Sequence, residues 1–258
     1  MRVLVFGHSD AEGSRLTNPD QAWPWILQRE LPERAGEAVE VVHCGLYPTT
    51  PNAIGYIDAR LHEHQPDVVL LNLSSHQFAL HVVAGRVREL FGARASDWVL
   101  RRQRFLDARV ARTGPLGSRS LYGVRRLTRA IIGTAPMVPY EVVVEAYAAV
   151  VRRLAREEGL HIVVVGGTRF SAMHQRLNKG LVDQIDRFKE SIRTVVEEHR
   201  LNWVDNETVF GAVDRATLYL ADGIHRSELG HRLLADALLP PLAGMARSGA
   251  GPQTARAG

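Results

Sequence analysis

Asp67-Val-Val-Leu-Leu-Asn-Leu73 is the clearest strand signal in the 258-residue sequence. Five of these seven residues are aliphatic, and no charged residue follows Asp67 within the run. Such a run is typical of a central strand in a parallel sheet, because helices cover both faces of that sheet and bury every side chain. A similar run, His161-Ile-Val-Val-Val-Gly-Gly167, indicates a second central strand.

Strand and helix patterns alternate on both sides of these runs. The predicted strands cover residues 2–6, 39–43, 67–73, 161–167 and 202–205. The predicted helices cover residues 23–31, 50–63, 141–158, 181–200 and 227–239. This alternation predicts an α/β protein whose parallel sheet is covered by helices on both faces. In such sheets, ligands bind at the carboxyl ends of the strands.

The composition is that of an ordinary globular protein, with 45% hydrophobic and 23% charged residues. We predict a single domain over residues 1–246 and a disordered tail, rich in Gly, Ala, Pro and Arg, over residues 247–258. The sequence has no secretory pattern at its start, no apolar run of about 18 residues and only one cysteine, Cys44. We therefore expect a cytoplasmic protein without an integral membrane segment.

One segment, residues 85–140, interrupts the alternation of strands and helices. Between Gly85 and Arg129 it holds twelve arginines, three acids and no lysine, a formal charge of +9, so that the rest of the chain carries −5. Its apolar spacing predicts an inserted helical element beside the carboxyl edge of the sheet. We interpret it as a lid or docking surface for an anionic substrate; the alternatives are a solvated helix pair and a homodimer contact.

Ser9 directly follows the first predicted strand, in the sequence Phe6-Gly-His-Ser-Asp-Ala-Glu-Gly13. A serine at this point lies at the carboxyl edge of the sheet, where backbone N–H groups beyond it can face a developing oxyanion. By itself the signal is weak, because glycine and serine are common in any turn that follows a strand.

A second signal, Asp222-Gly-Ile-His225, precedes the last predicted helix. An aspartate and a histidine three residues apart in a tight loop can meet through carboxylate and Nδ1, which leaves Nε2 free to take a proton from a hydroxyl. The alternative is that Asp222 and Ser227 are turn and N-cap residues only. Together with a serine at a strand end, the pair favours nucleophilic catalysis.

These two blocks resemble the first and last conserved blocks of the SGNH (GDSL-like) hydrolases, whose usual forms are Gly-Asp-Ser-Leu-x-x-Gly and Asp-x-x-His. His43-Cys-Gly-Leu-Tyr-Pro-Thr-Thr50 resembles the second block of that family. The order of strands agrees over about 200 residues, with segment 85–140 outside the match. The resemblance implies a flavodoxin-like, three-layer α/β/α sandwich with a parallel sheet of about five strands, which acts as an ester or thioester hydrolase.

The resemblance also assigns roles to residues. Ser9 would be the nucleophile, His225 the base and Asp222 the residue that orients the base. The oxyanion hole would comprise Ser9, Gly45 and Ser75, where Ser75 takes the place of the family's asparagine and its neighbour His76 is an alternative donor. A further departure is His8, which replaces the family's aspartate before the nucleophile.

The resemblance implies no metal or organic cofactor, and a small-molecule or acyl-carrier-bound ester as substrate. Two alternative functions keep the same fold: an acyltransferase that uses the same three residues, and a catalytically impaired binding protein. The eleven histidines include no His-x-x-x-His pair with a nearby acid, so a metal site is not indicated. Nucleic-acid binding is not expected, because no recognition motif accompanies the arginines and the remaining chain is acidic.

Overall fold

The computed structural model describes residues 1–79, 81–110, 131–171, 175 and 180–248. It divides into two compact units. The sheet unit comprises Met1–Ser75 and Val144–Gly258, and the insert unit comprises His76–Val143. The predicted organisation as one domain over residues 1–246 stays a prediction.

The elements follow the predicted alternation closely. In chain order, the strands are β1 (Arg2–Gly7), β2 (Glu40–Gly45), β3 (Val68–Asn72), β4 (His81–Val82), β5 (Ala135–Pro136), β6 (His161–Val165) and β7 (Asn202–Val204). The helices are α1 (Trp23–Ala35), α2 (Ala53–His64), α3 (His76–Ala79), α4 (Val83–Phe91), α5 (Ala93–Val110), α6 (Tyr140–Leu154), α7 (Leu181–Glu198), α8 (Asn206–Phe210), α9 (Arg215–Leu218) and α10 (Glu228–Arg247).

The sheet unit is built on five parallel strands in the order β2-β1-β3-β6-β7, which confirms the predicted fold class. β3 lies at the centre, and all five of its residues are buried. The strand order reverses between β1 and β3. In open α/β sheets this switch point is where ligands bind, because the two crossover connections leave the sheet toward opposite faces and open a crevice there.

Both faces of the sheet are covered. On one face, Val3 and Val5 of β1 belong to the same apolar cluster as Leu27 and Leu31 of α1 and Leu238 of α10. The intervening side chains of β1 point to the other face and are also fully buried. Burial on both faces explains why the strands read as continuous apolar runs in the sequence.

The last helix is longer than predicted. The sequence predicts an end at Leu239, yet α10 continues to Arg247 and contains Pro240 and Pro241. A proline inside a helix removes a hydrogen bond and costs about 3 kcal/mol. Here the turn beyond the prolines buries Leu242 and its apolar neighbours against the core, which offsets that cost. Residues 249–258 of the predicted tail lie outside the described residues.

The insert unit contains α4 and α5, which lie largely within the segment 85–140 for which helices were predicted, and the interpretation of that segment as an insertion stays a prediction. A two-residue antiparallel pairing of β4 with β5 was not predicted. Gly85 lies against it so closely that a Cβ would stand 2.2 Å from the carbonyl oxygen of Ala135. The part of the predicted insertion over residues 111–130 lies outside the described residues. Among the described residues, no helix has the length and apolar character needed to cross a membrane, and the cytoplasmic location stays a prediction.

Candidate active site

The loop that carries Ser9 leaves the sheet at the switch point. Gly7 ends β1, and a Cβ on it would stand 2.6 Å from the Cβ of Ala11, so the turn requires a residue without a side chain. The Ala11 N–H donates to the His8 carbonyl at 2.8 Å, and the Ser14 N–H donates to the Ser9 carbonyl at 2.8 Å. These bonds fold the chain back immediately after β1 and hold Ser9 at the carboxyl edge of the sheet.

The loop that carries His225 is organised by the Asp222 carboxylate. Its Oδ1 accepts hydrogen bonds from the backbone N–H groups of Ile224 and His225, both at 3.0 Å. The Leu220 N–H donates to the His225 carbonyl at 2.8 Å and closes the loop. Gly223 has a φ of +69°, a left-handed conformation that glycine adopts without steric cost.

The structure brings the three predicted catalytic residues together in one hydrogen-bonded chain. Ser9 Oγ lies 3.2 Å from His225 Nε2. His225 Nδ1 lies 2.7 Å from Asp222 Oδ2. When Nδ1–H donates to the carboxylate, Nε2 carries a lone pair directed at the serine hydroxyl, which is the arrangement that general-base catalysis requires.

The Asp222 carboxyl is held in its ionised form. Partial burial raises its pKa, but the hydrogen bonds from the Ile224 N–H and from the His225 ring and N–H lower it, and the net pKa is below the ordinary value. Arg15 adds a cation, with Nη1 at 3.3 Å from Asp222 Oδ2. The carboxylate is therefore available at neutral pH to fix the tautomer of His225.

The other predicted oxyanion residues flank the end of β1. Gly45 ends β2 and pairs in register with Gly7. Ser75 follows β3 on the other side of β1 and is only 3% exposed. The strand order thus puts one predicted donor on either side of Ser9, whereas His76 belongs to the insert unit.

Sequence reasoning missed a buried tyrosine beside the predicted nucleophile. Tyr147, on α6, is 1% exposed and accepts a hydrogen bond at 3.0 Å from the Ser74 N–H. Its hydroxyl also lies 3.1 Å from His8 Nε2, and the His8 ring meets the Tyr47 ring edge-on at 4.5 Å between centroids. Burial raises the Tyr147 pKa, so the hydroxyl keeps its proton. The sequence offered one signal for it, a tyrosine on the apolar face of a helix. Such a hydroxyl is buried and needs a hydrogen-bond partner.

A second missed feature is a buried ion pair one residue beyond the predicted nucleophile and base. Arg226, 3% exposed, pairs through Nη1 with Oδ2 of Asp10. Burial lowers the Arg226 pKa to about 9, which still leaves the guanidinium charged at neutral pH. The nearby His231 stays neutral, because burial and, to a smaller extent, the charges of Arg226 and His225 lower its pKa to about 3. Its Nδ1 accepts a hydrogen bond from the Trp23 N–H at 3.4 Å.

The sheet topology and the hydrogen-bonded chain together define the class of protein, an α/β/α hydrolase fold with a serine at the switch point. A family model described as the GDSL-like Lipase/Acylhydrolase family matches residues 5–233. The chain belongs to that family, and it is an ester hydrolase. No curated protein matches the sequence significantly. No group of three or more potential metal ligands occurs among the residues that the structure describes.

Solved structures of similar fold support the same architecture. An alpha/beta hydrolase enzyme from the metagenome of Lake Arreo, Spain, is 16% identical, with 95% of each chain covered and a TM-score of 0.56. A lipase/acylhydrolase from Enterococcus faecalis is 14% identical, with 94% of this chain and 95% of that chain covered and a TM-score of 0.56. The inhibitor-bound aryl esterase of M. Smegmatis is 16% identical, with 96% and 98% covered and a TM-score of 0.53.

Proposed function

We propose that the chain hydrolyses its ester through a covalent acyl-enzyme, with Ser9 as nucleophile, His225 as general base and Asp222 as the residue that orients the base. The observation that carries the proposal is the continuous chain from Ser9 Oγ through the imidazole to the carboxylate, with contacts of 3.2 and 2.7 Å. The first distance joins the nucleophile to its base and the second joins the base to the residue that orients it, and both lie within the range of about 2.6–3.2 Å that such contacts require.

In the first half of the reaction, Ser9 Oγ attacks the ester carbonyl carbon while its proton passes to His225 Nε2. The new C–O bond gives a tetrahedral intermediate with a negative oxygen. His225 then donates the proton to the leaving alkoxide oxygen, the ester C–O bond breaks, and the alcohol departs. The products of this half are an acyl-Ser9 ester and one alcohol.

In the second half, water replaces the alcohol. His225 Nε2 takes a proton from water as the hydroxyl oxygen attacks the acyl carbon, and a second tetrahedral intermediate forms. The proton then returns to Ser9 Oγ as the acyl bond breaks, which releases the carboxylic acid and restores the enzyme. Asp222 stays ionised throughout and stabilises the imidazolium that forms in each half.

The negative oxygen of each intermediate needs hydrogen-bond donors that are already in position. The proposed donors are the backbone N–H groups of Ser9 and Gly45 and the hydroxyl of Ser75. A hydroxyl donates one hydrogen bond and reaches less far than an amide. The Tyr147 hydroxyl supports this part of the site, since it holds the N–H of Ser74 at 3.0 Å and so fixes the backbone just before Ser75.

The direct test compares Ser9→Ala with Ser14→Ala, a serine of the same loop whose hydroxyl contacts Glu12 at 3.4 Å. We expect Ser9→Ala to lose at least about a hundredfold in kcat/KM on a p-nitrophenyl ester, because removal of the nucleophile of such a site costs orders of magnitude. Ser14→Ala should keep wild-type activity. Labelling by a fluorophosphonate followed by mass spectrometry should place the adduct on Ser9. Retention of more than about a hundredth of the activity in Ser9→Ala would disprove the assignment.

A panel of ester and thioester substrates of increasing acyl length would define the substrate of this site. Added alcohols provide the test between hydrolysis and acyl transfer. Release of only the free acid in their presence supports the hydrolase, whereas a new ester as the main product would identify an acyltransferase that uses the same three residues.

A further inference from the structure

We propose that Asp10 and Arg226 form an electrostatic clamp that sets the distance between the nucleophile loop and the base loop, and that both are positioning residues for the reaction. The proposal rests on the proposed function of Ser9 and His225. It assigns a role to two residues that lie outside the hydrogen-bonded chain described above.

The clamp runs parallel to the catalytic contact. Asp10 follows Ser9 in the sequence, and Arg226 follows His225. The two loops are therefore joined twice across the same 216 residues of chain, once by Ser9 with His225 and once by Asp10 with Arg226. The backbone N–H of Arg226 adds a weaker contact, which it donates to Asp10 Oδ1 at 3.4 Å. Two adjacent links restrain rotation of the loops as well as their separation, which a single hydrogen bond does not.

The arginine side of the clamp is rigidly held. Arg226 forms an antiparallel bridge with Tyr219, and its guanidinium lies 5.8 Å from the centroid of the Phe210 ring. Gly230, in the first turn of α10, approaches the same backbone so closely that a Cβ would stand 3.3 Å from the Cβ of Arg226. The guanidinium therefore packs against the frame formed by α8, α9 and the start of α10, and Asp10 is the more exposed end of the pair.

Because Arg226 is buried, the position of each side chain in the clamp depends on the other. Arg226 is almost completely buried, and among the described residues neither its Nε nor its Nη1 makes a hydrogen bond, so that Nη1 is held by the ion pair with Asp10. A buried charge that loses its counter-ion is strongly unfavourable, so we expect the loop to rearrange when Asp10 is removed, and Asp10 to lose its anchor when Arg226 is removed. The Asp10 side chain is 23% exposed, so we expect Asp10 to be the end of the clamp that shifts.

Such a displacement affects catalysis more than binding. The contact between Ser9 Oγ and His225 Nε2 is 3.2 Å, at the long end of a hydrogen bond, so an additional shift breaks it. A misplacement of about 1 Å at a reacting group can cost about a hundredfold in rate. Because the shift affects the contact between the proposed nucleophile and base, we expect kcat to fall with little change in KM.

The test uses Asp10→Asn, Arg226→Gln and the double variant, with kcat and KM measured on a small neutral ester. We expect each single variant to lose about tenfold to a hundredfold in kcat with KM within about twofold of wild type. The double variant should lose no more than either single variant, because the two side chains act as one unit. Arg226→Lys, which keeps the charge, should recover part of kcat.

A matched control is Glu30→Gln, which breaks the ion pair between Glu30 of α1 and Arg232 of α10. This pair also joins two distant parts of the sheet unit but adjoins no proposed catalytic residue. Glu30→Gln should lower stability without changing kcat. If it lowered kcat as much as Asp10→Asn does, the effect of the clamp would be one of general stability, and the proposal would be wrong.

A second readout is the rate constant for labelling of Ser9 by a small fluorophosphonate, which does not depend on how much of a variant is folded. It should fall in parallel with kcat in both single variants. The clamp would be wrong, with the proposed function intact, if both single variants were labelled at the wild-type rate. It would also be wrong if the fold-loss in kcat of the double variant were the product of the two single losses. If wild-type protein is not labelled at Ser9 at all, the proposed function is wrong and the clamp is rejected with it.

Discussion

Replacement of Tyr147 by phenylalanine is the sharpest test of how the site is supported. The substitution removes one oxygen atom and keeps the ring, so it creates no large cavity in a position that is 1% exposed. The oxygen that is lost accepts from the Ser74 N–H at 3.0 Å and contacts His8 Nε2 at 3.1 Å. The experiment therefore isolates two hydrogen bonds.

The magnitude follows from those two bonds. Each neutral hydrogen bond contributes about 1 kcal/mol to the free energy of unfolding, so Tyr147→Phe should lose about 2 kcal/mol. For a protein of this size, a change of about 1 kcal/mol moves the melting temperature by about 2–4 °C. We therefore expect a decrease of about 4–8 °C in Tm, measured by circular dichroism at a fixed heating rate.

The same variant should also slow the reaction, because the Tyr147 hydroxyl accepts from the Ser74 N–H and so holds the backbone that leads to Ser75. We expect kcat to fall several-fold with little change in KM, since oxyanion contacts form mainly in the transition state. Tyr47→Phe is the control, because the Tyr47 ring is half exposed and water can replace its hydroxyl. A Tm for Tyr147→Phe within 1 °C of wild type, with unchanged kcat, would refute the reasoning.

Three further changes address the rest of the molecule. Ser75→Ala should lower kcat far more than it changes KM on a neutral ester, and an unchanged kcat would remove Ser75 from the oxyanion site. Because the folded-state pKa of Asp222 is lowered, its ionised carboxylate stabilises the fold above about pH 4, and that contribution disappears as the pH falls through the folded pKa. Urea titrations should therefore show that the free energy of unfolding falls less on acidification in Asp222→Asn than in wild type. Charge reversal in the arginine segment should raise KM for an anionic ester and flatten its salt dependence, with hydrolysis of a neutral ester as the internal control, and equal responses of both esters would assign the segment a structural role. The residues to reverse are Arg101, Arg102 and Arg104.

The sequence predicts the sheet well because each central strand carries its own evidence. The apolar run at Val68–Asn72 needs no information from elsewhere in the chain, because a strand that is buried on both faces has apolar residues at nearly every position. β4 and β5 were missed for the opposite reason, because two residues per strand are too few to show a period. The end of α10 was placed too early because Pro240 is a local stop signal that tertiary packing overrides.

The candidate site divides in the same way. The spacing of Asp222 and His225 is local, and it predicts their contact directly. The position of Ser9 at a strand end, taken with this pair, already favoured nucleophilic catalysis, and the resemblance then assigned the three roles. The contacts of Tyr147 with His8 could not be predicted, because the two residues are 139 positions apart and neither carries a local signal for the other. The partnership of Arg226 with Asp10 was missed for the same reason.

The hydrogen bond from Ser9 to His225 also has a consequence for synthesis of the chain on the ribosome. His225 emerges 216 residues after Ser9. Until then the serine has no proton acceptor, and α1 lacks α10, the helix against which it packs. With Ser9 and His225 in the proposed roles, esterase activity requires that β1 and the loop of His225 have both been made and have met.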